Sequence, residues 1–177
     1  MKIVVCIKQV PYVDQLKFDT QAGRLIREGV ESEINPFDKR ALTEAVNLKN
    51  KYGAETIAIT MGPPQAESAL REALAMGIDR GVHLLGREFA GADTLATARA
   101  LALALKRIGF DLILCGKYST DAETAQVPGM LAELLDLPLA TVKMRLHRAR
   151  RRLQAALQTG CEFSTDERNV LVCESKN

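Results

Sequence analysis

Acidic and hydroxyl side chains follow a short apolar run late in the chain. Residues 112–115 (LILC) have the composition of a buried strand, which Gly116 ends. The next loop carries the polar side chains Asp121, Glu123 and Thr124, and a helix is predicted to begin near Ala125 or Gly129. Open α/β sheets bind ligands at loops of this kind, and free N–H groups at a helix start can hold a phosphate. On spacing alone, a strand, loop and helix with acids and hydroxyls is more often a plain connection than a ligand site.

The cysteines and histidines give little sign of reactive or metal chemistry. Cys6 and Cys115 lie inside apolar strand segments, and we expect them to be buried structural residues. His147, Cys161 and Cys173 are irregularly spaced for a zinc site, so no metal is predicted. The four cysteines include no CxxC pair, which is typical of a reduced, cytoplasmic protein.

Positive charge is concentrated near the C-terminus. Residues 1–140 contain 16 Lys and Arg against 18 Asp and Glu, whereas residues 141–177 contain 8 against 4. Apolar residues recur at helical spacing over residues 141–157, which predicts a helix with a basic face. The bases expected to point outward are Lys143, Arg145, Arg148, Arg151 and Arg152. Such a face is either solvated or contacts the phosphate backbone of DNA.

Strand and helix patterns alternate through the first two thirds of the chain. Apolar strand runs cover residues 2–7, 55–60, 82–85 and 111–115, and helical patterns cover residues 36–52, 64–76 and 94–108. This alternation predicts an α/β fold with a parallel sheet and helices on both faces. The chain has 177 residues and no apolar run of about eighteen, so we expect no membrane span.

Local signals predict several element ends. Asn35 is expected to cap a helix that has Pro36 in its first turn and Asp38 near its positive end. Gly53 is expected to close that helix, and Asp93 or Thr94 to cap a later one. Residues 16–29 (LKFDTQAGRLIREG) have the pattern of a β-hairpin, with the turn at Gly23.

Residues 1–139 resemble the β subunit of electron transfer flavoproteins, in particular the FixA-like members. The matching motifs are KIVVCIKQVP, LIREGV, INPFD, TMGPPQAESALREALAMG, GADTLATA and CGKYSTDAETAQV. The resemblance implies a Rossmann-like domain that binds AMP or FAD, pairs with an electron transfer flavoprotein α subunit, and serves a redox partner dehydrogenase. It implies a carrier without catalytic residues of its own, because the flavin supplies the electron chemistry. Members of the family continue further, so the fold is expected to be truncated.

The resemblance also implies which residues contact the nucleotide. They are Cys6, Asn35, Pro36, Phe37, Asp38, Met61, Asp121, Ala122, Glu123, Thr124, Ala125, Gln126 and Val127. The sequence departs from the family at Ala122, where glycine is expected. Because alanine adopts positive φ less cheaply than glycine, we expect Ala122 to crowd the phosphates.

A second resemblance covers the end of the chain. The segment LAELLDLPLATVKMRLHRARRRLQAAL, within residues 130–177, is similar to the final helix-turn-helix of extracytoplasmic-function sigma factors. Together, the two resemblances imply that residues 1–139 form the nucleotide-binding domain and that residues 140–177 form a basic, sigma-factor-like helix and tail. The alternative function is therefore DNA binding through the basic helix, or a fusion in which neither half is active.

Overall fold

The computed structural model of the protein describes residues 1–12, 17–19, 24–26, 31–137, 151, 155, 159–165 and 171–175. These residues belong to two compact units, Met1–Leu135 and Asp136–Asn177. The division between them falls close to the predicted domain boundary at residue 139. The assignment of separate functions to the two segments stays a prediction.

Strands and helices alternate in the first unit, as the sequence pattern predicts. Its elements are β1 (Lys2–Cys6), β2 (Gln9–Pro11), β3 (Lys17–Asp19), β4 (Arg24–Ile26), β5 (Ser32–Ile34), α1 (Pro36–Tyr52), β6 (Glu55–Met61), α2 (Glu67–Ala75), β7 (Arg80–Leu84), α3 (Thr94–Ile108), β8 (Leu112–Cys115) and α4 (Val127–Leu134). Short 3-10 turns, Pro64–Ala66 and Arg87–Phe89, precede α2 and α3. The helix predicted over residues 64–76 is therefore divided between a 3-10 turn and α2.

Four parallel strands form the central sheet in the order β7-β6-β1-β8. In the middle of the sheet, Val4 of β1 lies opposite Ile57 of β6 on one side and Ile113 of β8 on the other. Because all four strands run the same way, their carboxyl ends meet at one edge of the sheet. The predicted α/β class with a parallel sheet is confirmed.

Helices cover both faces of this sheet. Ile3, Val5 and Ile7 pack in one apolar cluster with residues of α1 and α2, whereas Val4 and Cys6 pack in another with residues of α3 and α4. Successive residues of a strand point to opposite faces, so the continuous apolar run of β1 supplies both clusters. Full burial of each such aliphatic side chain contributes roughly 1.5–3 kcal/mol.

Several predicted element ends are confirmed. Gly53 ends α1 with φ 65°, and its N–H donates to the carbonyl of Lys49. Asp93 caps α3 by accepting a 2.7 Å hydrogen bond from the N–H of Ala96. The predicted hairpin is present as β3 paired antiparallel with β4. Its turn, with Gly23, lies outside the described residues.

The second unit contains an antiparallel pair, β9 (Cys161–Thr165) and β10 (Leu171–Ser175). The backbone is helical at Arg151, Ala155 and residues 159–160, near the end of the predicted basic helix. The rest of that helix lies outside the described residues. Within the described part of the chain, no helix is long and apolar enough to cross a membrane.

Candidate functional site

Three chain segments meet at the carboxyl edge of the sheet through one carboxylate. Asp38, in the first turn of α1, accepts a 2.8 Å hydrogen bond from the N–H of Lys8, just after β1. Its other oxygen accepts a 3.2 Å hydrogen bond from the N–H of Gly116, just after β8. Asp38 therefore fixes the ends of two neighbouring strands to the start of a helix, and its role extends well beyond the predicted favourable charge at the helix terminus.

Burial raises the pKa of Asp38 to about 6. The residue is only 6% exposed, so its ionised form loses most of its hydration. Hydrogen bonds from Lys8, Asn35 and Gly116 and the positive charge of Lys8 oppose this effect without cancelling it. The carboxylate is thus held in a position that penalises its charge at neutral pH.

Gly116 is required by the close approach of Asp38. A Cβ atom at this position would overlap the Asp38 carboxylate and would lie 2.9 Å from the carbonyl carbon of Phe37 and 3.0 Å from the backbone nitrogen of Asp38. Two of these atoms are backbone and cannot move aside like a side-chain end. Gly116 therefore does more than end a strand, because it lets the loop after β8 pass directly over the start of α1.

Asn35 does not cap α1 with its side chain, so that prediction is wrong. Its amide nitrogen donates to the carbonyl of Tyr118 at 2.8 Å, and its amide oxygen accepts from the N–H of Thr120 at 3.3 Å. The backbone carbonyl of Asn35 accepts the N–H groups of Asp38 and Lys39 instead. The side chain is drawn away because the partly buried loop after β8 presents it with both a donor and an acceptor.

Lys8 holds the next part of the same loop. Its ammonium group lies 2.8 Å from both carboxylate oxygens of Asp121 and 3.4 Å from the hydroxyl of Ser119. Partial burial pushes the pKa of Asp121 upward, but the hydrogen bond and charge of Lys8, together with hydrogen bonds from Ser119 and the backbone, leave that pKa below its usual value. Sequence reasoning missed Lys8, and no local spacing signal links it to a residue more than a hundred positions away.

The loop leading into α4 contains strained backbone, but not where the sequence predicts it. Glu123 has φ 53° and Ala125 has φ 54°, while Ala122 is outside the positive-φ region. Ala122 therefore does not bear this strain, and its predicted crowding of the phosphates stays a prediction. A residue with a Cβ held at positive φ costs about 1–2 kcal/mol, and such strain clusters at ligand sites.

The N-terminus of α4 presents backbone donors to solvent. α4 begins at Val127, between the two predicted starting points, and Gln126 makes no side-chain cap. The loop residues before it are exposed, and no acceptor in the described residues takes the N–H of Thr124, Ala125 or Gln126. A helix start with free N–H groups favours an anion.

An aromatic pair lies beside this loop. The rings of Phe37 and Tyr118 are 4.3 Å apart between centroids, and both side chains are partly exposed. Arg40 lies 5.9 Å from the Phe37 ring and Lys117 lies 5.5 Å from the Tyr118 ring. The sequence patterns did not identify Tyr118 as a site residue, although its place as an aromatic residue just after a predicted strand could have indicated it.

The remaining candidates for nucleotide contact are distributed along the same edge. Cys6 lies at the end of β1, and Met61 ends the neighbouring strand β6. Pro36 is exposed in the first turn of α1. The buried hydroxyl of Thr60, one residue before Met61, has no hydrogen-bond partner among the described residues. The structure thus brings the predicted residues to one edge of the sheet.

Most of the bases predicted to contact DNA lie outside the part of the chain that the structure describes. Lys143, Arg145, Arg148 and Arg152 lie outside the described residues, and Arg151 is exposed on helical backbone. DNA binding therefore stays a prediction.

The first unit is a Rossmann-like α/β domain whose loops converge where open parallel sheets bind ligands. The profile of the electron transfer flavoprotein domain matches residues 22–159. A protein named electron transfer flavoprotein subunit beta, from Thermoanaerobacterium thermosaccharolyticum, is 45% identical over 178 residues, covering 99% of this chain and 68% of the relative. The chain belongs to the electron transfer flavoprotein family.

Two further relatives have similar identity. The caffeyl-CoA reductase-Etf complex subunit CarD of Acetobacterium woodii is 47% identical over 80% of this chain, and protein FixA of Sinorhizobium fredii is 45% identical over 77% of it. The chain spans 55% and 50% of the lengths of these two relatives. Because the family match runs past residue 139, the resemblance to a sigma factor gains no support from these comparisons.

Proposed function

We propose that the chain is an electron transfer flavoprotein β-subunit-like protein that binds AMP or FAD at the carboxyl edge of its sheet. The phosphates would lie against the backbone N–H groups before α4. The observation that carries the proposal is the loop of Glu123 and Ala125, which is held in strained backbone conformation beside N–H groups that no acceptor among the described residues takes. Strain of this kind persists only where surrounding contacts enforce it.

The surrounding residues fit an anionic ligand. Lys8 neutralises Asp121, so this acid orients the loop without placing an uncompensated charge beside the phosphates. The side chains of Asn35 and Asp38 hydrogen-bond to the first part of the loop and hold it against the start of α1. These contacts fix the loop within the fold, and an ordered loop loses less entropy when a ligand binds.

The electron chemistry would belong to the ligand. FAD, when bound, accepts and donates electrons at its ring system, whereas AMP has no redox chemistry. The residues of this chain would bind and orient the nucleotide, and the electron transfer itself would need no nucleophile and no general acid or base from them. The proposed protein is therefore a carrier subunit.

An electron transfer flavoprotein α subunit is the proposed partner, with a dehydrogenase as the redox partner of the complex. Support comes from relatives named as a β subunit and as a subunit of a reductase-Etf complex. Co-expression of this chain with such an α subunit, followed by size-exclusion chromatography, tests the proposal. Co-elution as a heterodimer is expected, and separate elution at micromolar concentration would contradict this part of it.

Nucleotide binding is tested by the absorbance spectrum of the purified protein and by calorimetric titration with AMP and FAD. Flavin gives visible bands, whereas AMP absorbs only in the ultraviolet. The matched variants are Ala125→Gly and Ala125→Val, because glycine adopts the left-handed conformation freely and valine resists it.

Ala125→Gly should bind as tightly as wild type or more tightly, and Ala125→Val should bind at least about tenfold more weakly, a loss of about 1.4 kcal/mol. Far-ultraviolet circular dichroism of both variants checks that the fold is retained. Absence of heat with either nucleotide up to about 1 mM would overturn the proposal.

A further inference from the structure

Two cysteines lie side by side at the carboxyl edge of the sheet. Cys6 is the last residue of β1 and Cys115 is the last residue of β8, and the parallel register pairs them directly. Both belong to the apolar cluster on the α3 and α4 face, so both side chains leave the sheet on the same side. Both are free thiols; Cys6 is buried and Cys115 is partly exposed.

The register places the two residues within reach of a covalent bond. Neighbouring strands lie about 4.7–4.9 Å apart, which is inside the range of roughly 4.4–6.8 Å between the Cα atoms of disulfide-bonded residues. The bond would require the Cβ atoms to approach to about 3.8 Å, closer than side-by-side strand residues usually lie. A disulfide here would therefore be strained, and strained disulfides are readily reduced.

We propose that Cys6 and Cys115 are a reversible redox pair that a small peroxide converts to an intramolecular disulfide. Cys115 is the more accessible thiol and reacts first, because Cys6 is only 9% exposed. The Cys115 thiolate attacks hydrogen peroxide, forming a sulfenic acid and releasing hydroxide. The Cys6 sulfur then displaces the sulfenic oxygen, which leaves as water, so two thiols and one peroxide give one disulfide and two waters.

The new bond would act on the strand-end contacts that follow it. Lys8 and Gly116, whose N–H groups both bond to Asp38, are two residues and one residue beyond the cysteines. Drawing the two strand ends together changes the spacing of these two donors. Oxidation should therefore weaken nucleotide binding about tenfold, a consequence that rests on the proposed function, whereas disulfide formation does not.

The direct test is mass spectrometry of the full chain treated with hydrogen peroxide, alkylated and digested with trypsin. Cleavage after Lys and Arg places Cys6 in the peptide of residues 3–8 and Cys115 in that of residues 108–117. The expected product is these two peptides joined, with the loss of two hydrogen atoms. Dithiothreitol should restore both free thiols.

Variants separate this pair from the other thiols. Cys161→Ser with Cys173→Ser should leave the cross-link intact, whereas Cys6→Ser or Cys115→Ser should abolish it. Thermal unfolding of each variant checks that the fold survives the substitution. Oxidation of Cys115 to sulfinic acid without the cross-link, or linkage to Cys161 or Cys173 instead, would overturn the proposal.

Nucleotide titration of the oxidised and reduced protein distinguishes the two proposals. If the cross-link forms and neither redox form binds nucleotide, the redox pair stands and the proposed function fails. If reduced protein binds nucleotide and no cross-link forms, the proposed function stands and the redox pair fails.

Discussion

Two aspartates at opposite edges of the sheet use similar contacts in different surroundings. Asp79 precedes β7 and accepts hydrogen bonds from the N–H and the hydroxyl of Thr56 near the start of β6. Asp38 accepts from the N–H groups of Lys8 and Gly116 at the other edge. Each carboxylate therefore links the chain segment that carries it to a neighbouring strand end through hydrogen bonds.

Their charges have opposite energetic consequences. The hydrogen bond from Lys49, together with the two from Thr56, lowers the pKa of Asp79 to about 2, whereas burial raises the pKa of Asp38 to about 6. The side chain of Asp79 is 36% exposed and has a cation as partner. The charge of Lys8 acts on Asp38, but its ammonium group forms its ion pair with Asp121 instead. Similar hydrogen bonds therefore stabilise one carboxylate and only partly offset the burial of the other.

This difference separates the roles of the two edges. The Asp79 contacts strengthen the fold at neutral pH. The Asp38 contacts organise the loop of the proposed nucleotide site at a cost in stability. The following substitutions are ordered from the largest expected effect to the smallest, and each tests this contrast.

Gly116→Ala should cause the largest loss, because its Cβ would collide with backbone and carboxylate atoms at the start of α1. We expect the free energy of unfolding to fall by more than about 3 kcal/mol, measured by urea denaturation. Gly129→Ala is the matched control, since a Cβ there meets nothing within 4 Å and lies inside α4. That control should be neutral or stabilising by about 0.5–1 kcal/mol. Equal losses in the two variants would refute the tight approach at Gly116.

Asp38→Asn tests the cost of the buried charge. The folded-state pKa of about 6 lies above the ordinary Asp value of 3.8, which applies to the unfolded chain. Between these pH values the folded protein therefore binds more protons than the unfolded protein. The contribution of Asp38 to stability is therefore fully present below about pH 4 and is lost as the pH rises through about 6. The stability gap, defined as the free energy of unfolding of wild type minus that of the variant, should fall by roughly 3 kcal/mol from pH 4 to pH 7. A constant gap would show that the carboxylate is not desolvated.

Asn35→Ala tests whether the loop is fixed from α1. The change leaves the carbonyl of Tyr118 and the N–H of Thr120 without their partner, which should cost about 2 kcal/mol in chemical denaturation. Asn47→Ala is the control, because Asn47 is exposed on the same helix and its side chain bonds to Glu44 alone among the described residues. Its loss should stay within about 0.5 kcal/mol. If the two alanine variants behave alike, the Asn35 contacts do not hold the loop.

Asp79→Asn should have the smallest effect and the opposite pH dependence from Asp38→Asn. The pKa of Asp79 is below its ordinary value, so its stabilisation is present above about pH 4 and is lost as the pH falls through about 2. At pH 7 the variant should lose about 1 kcal/mol, because a partly exposed charge is screened by solvent. Denaturation from pH 2 to pH 7 measures this, with the exposed Glu67→Gln as a near-neutral control. A gap that widens towards acid would contradict the assignment.

Short-range patterns correctly predicted most of the elements. The apolar runs of β1 and β6, the glycine at the end of α1 and the Asp93 cap are each determined by a few adjacent residues. The failures involve long separations. Asn35 has an ideal cap sequence, but its amide bonds to Tyr118, 83 positions away. Positive φ at Glu123 and Ala125, rather than at Ala122, depends on how the loop is held at both ends.

The sequence by itself determined the α/β class, because strand and helix periods come from which faces must be buried. It also indicated the loop after β8 as a ligand site, since polar residues follow a buried strand before a helix. Only the tertiary structure decided that Lys8, Asn35 and Asp38 hold this loop and that Cys6 lies opposite Cys115. The physical reason is that strand order and register bring together residues about a hundred positions apart, and no local pattern encodes which strands become neighbours.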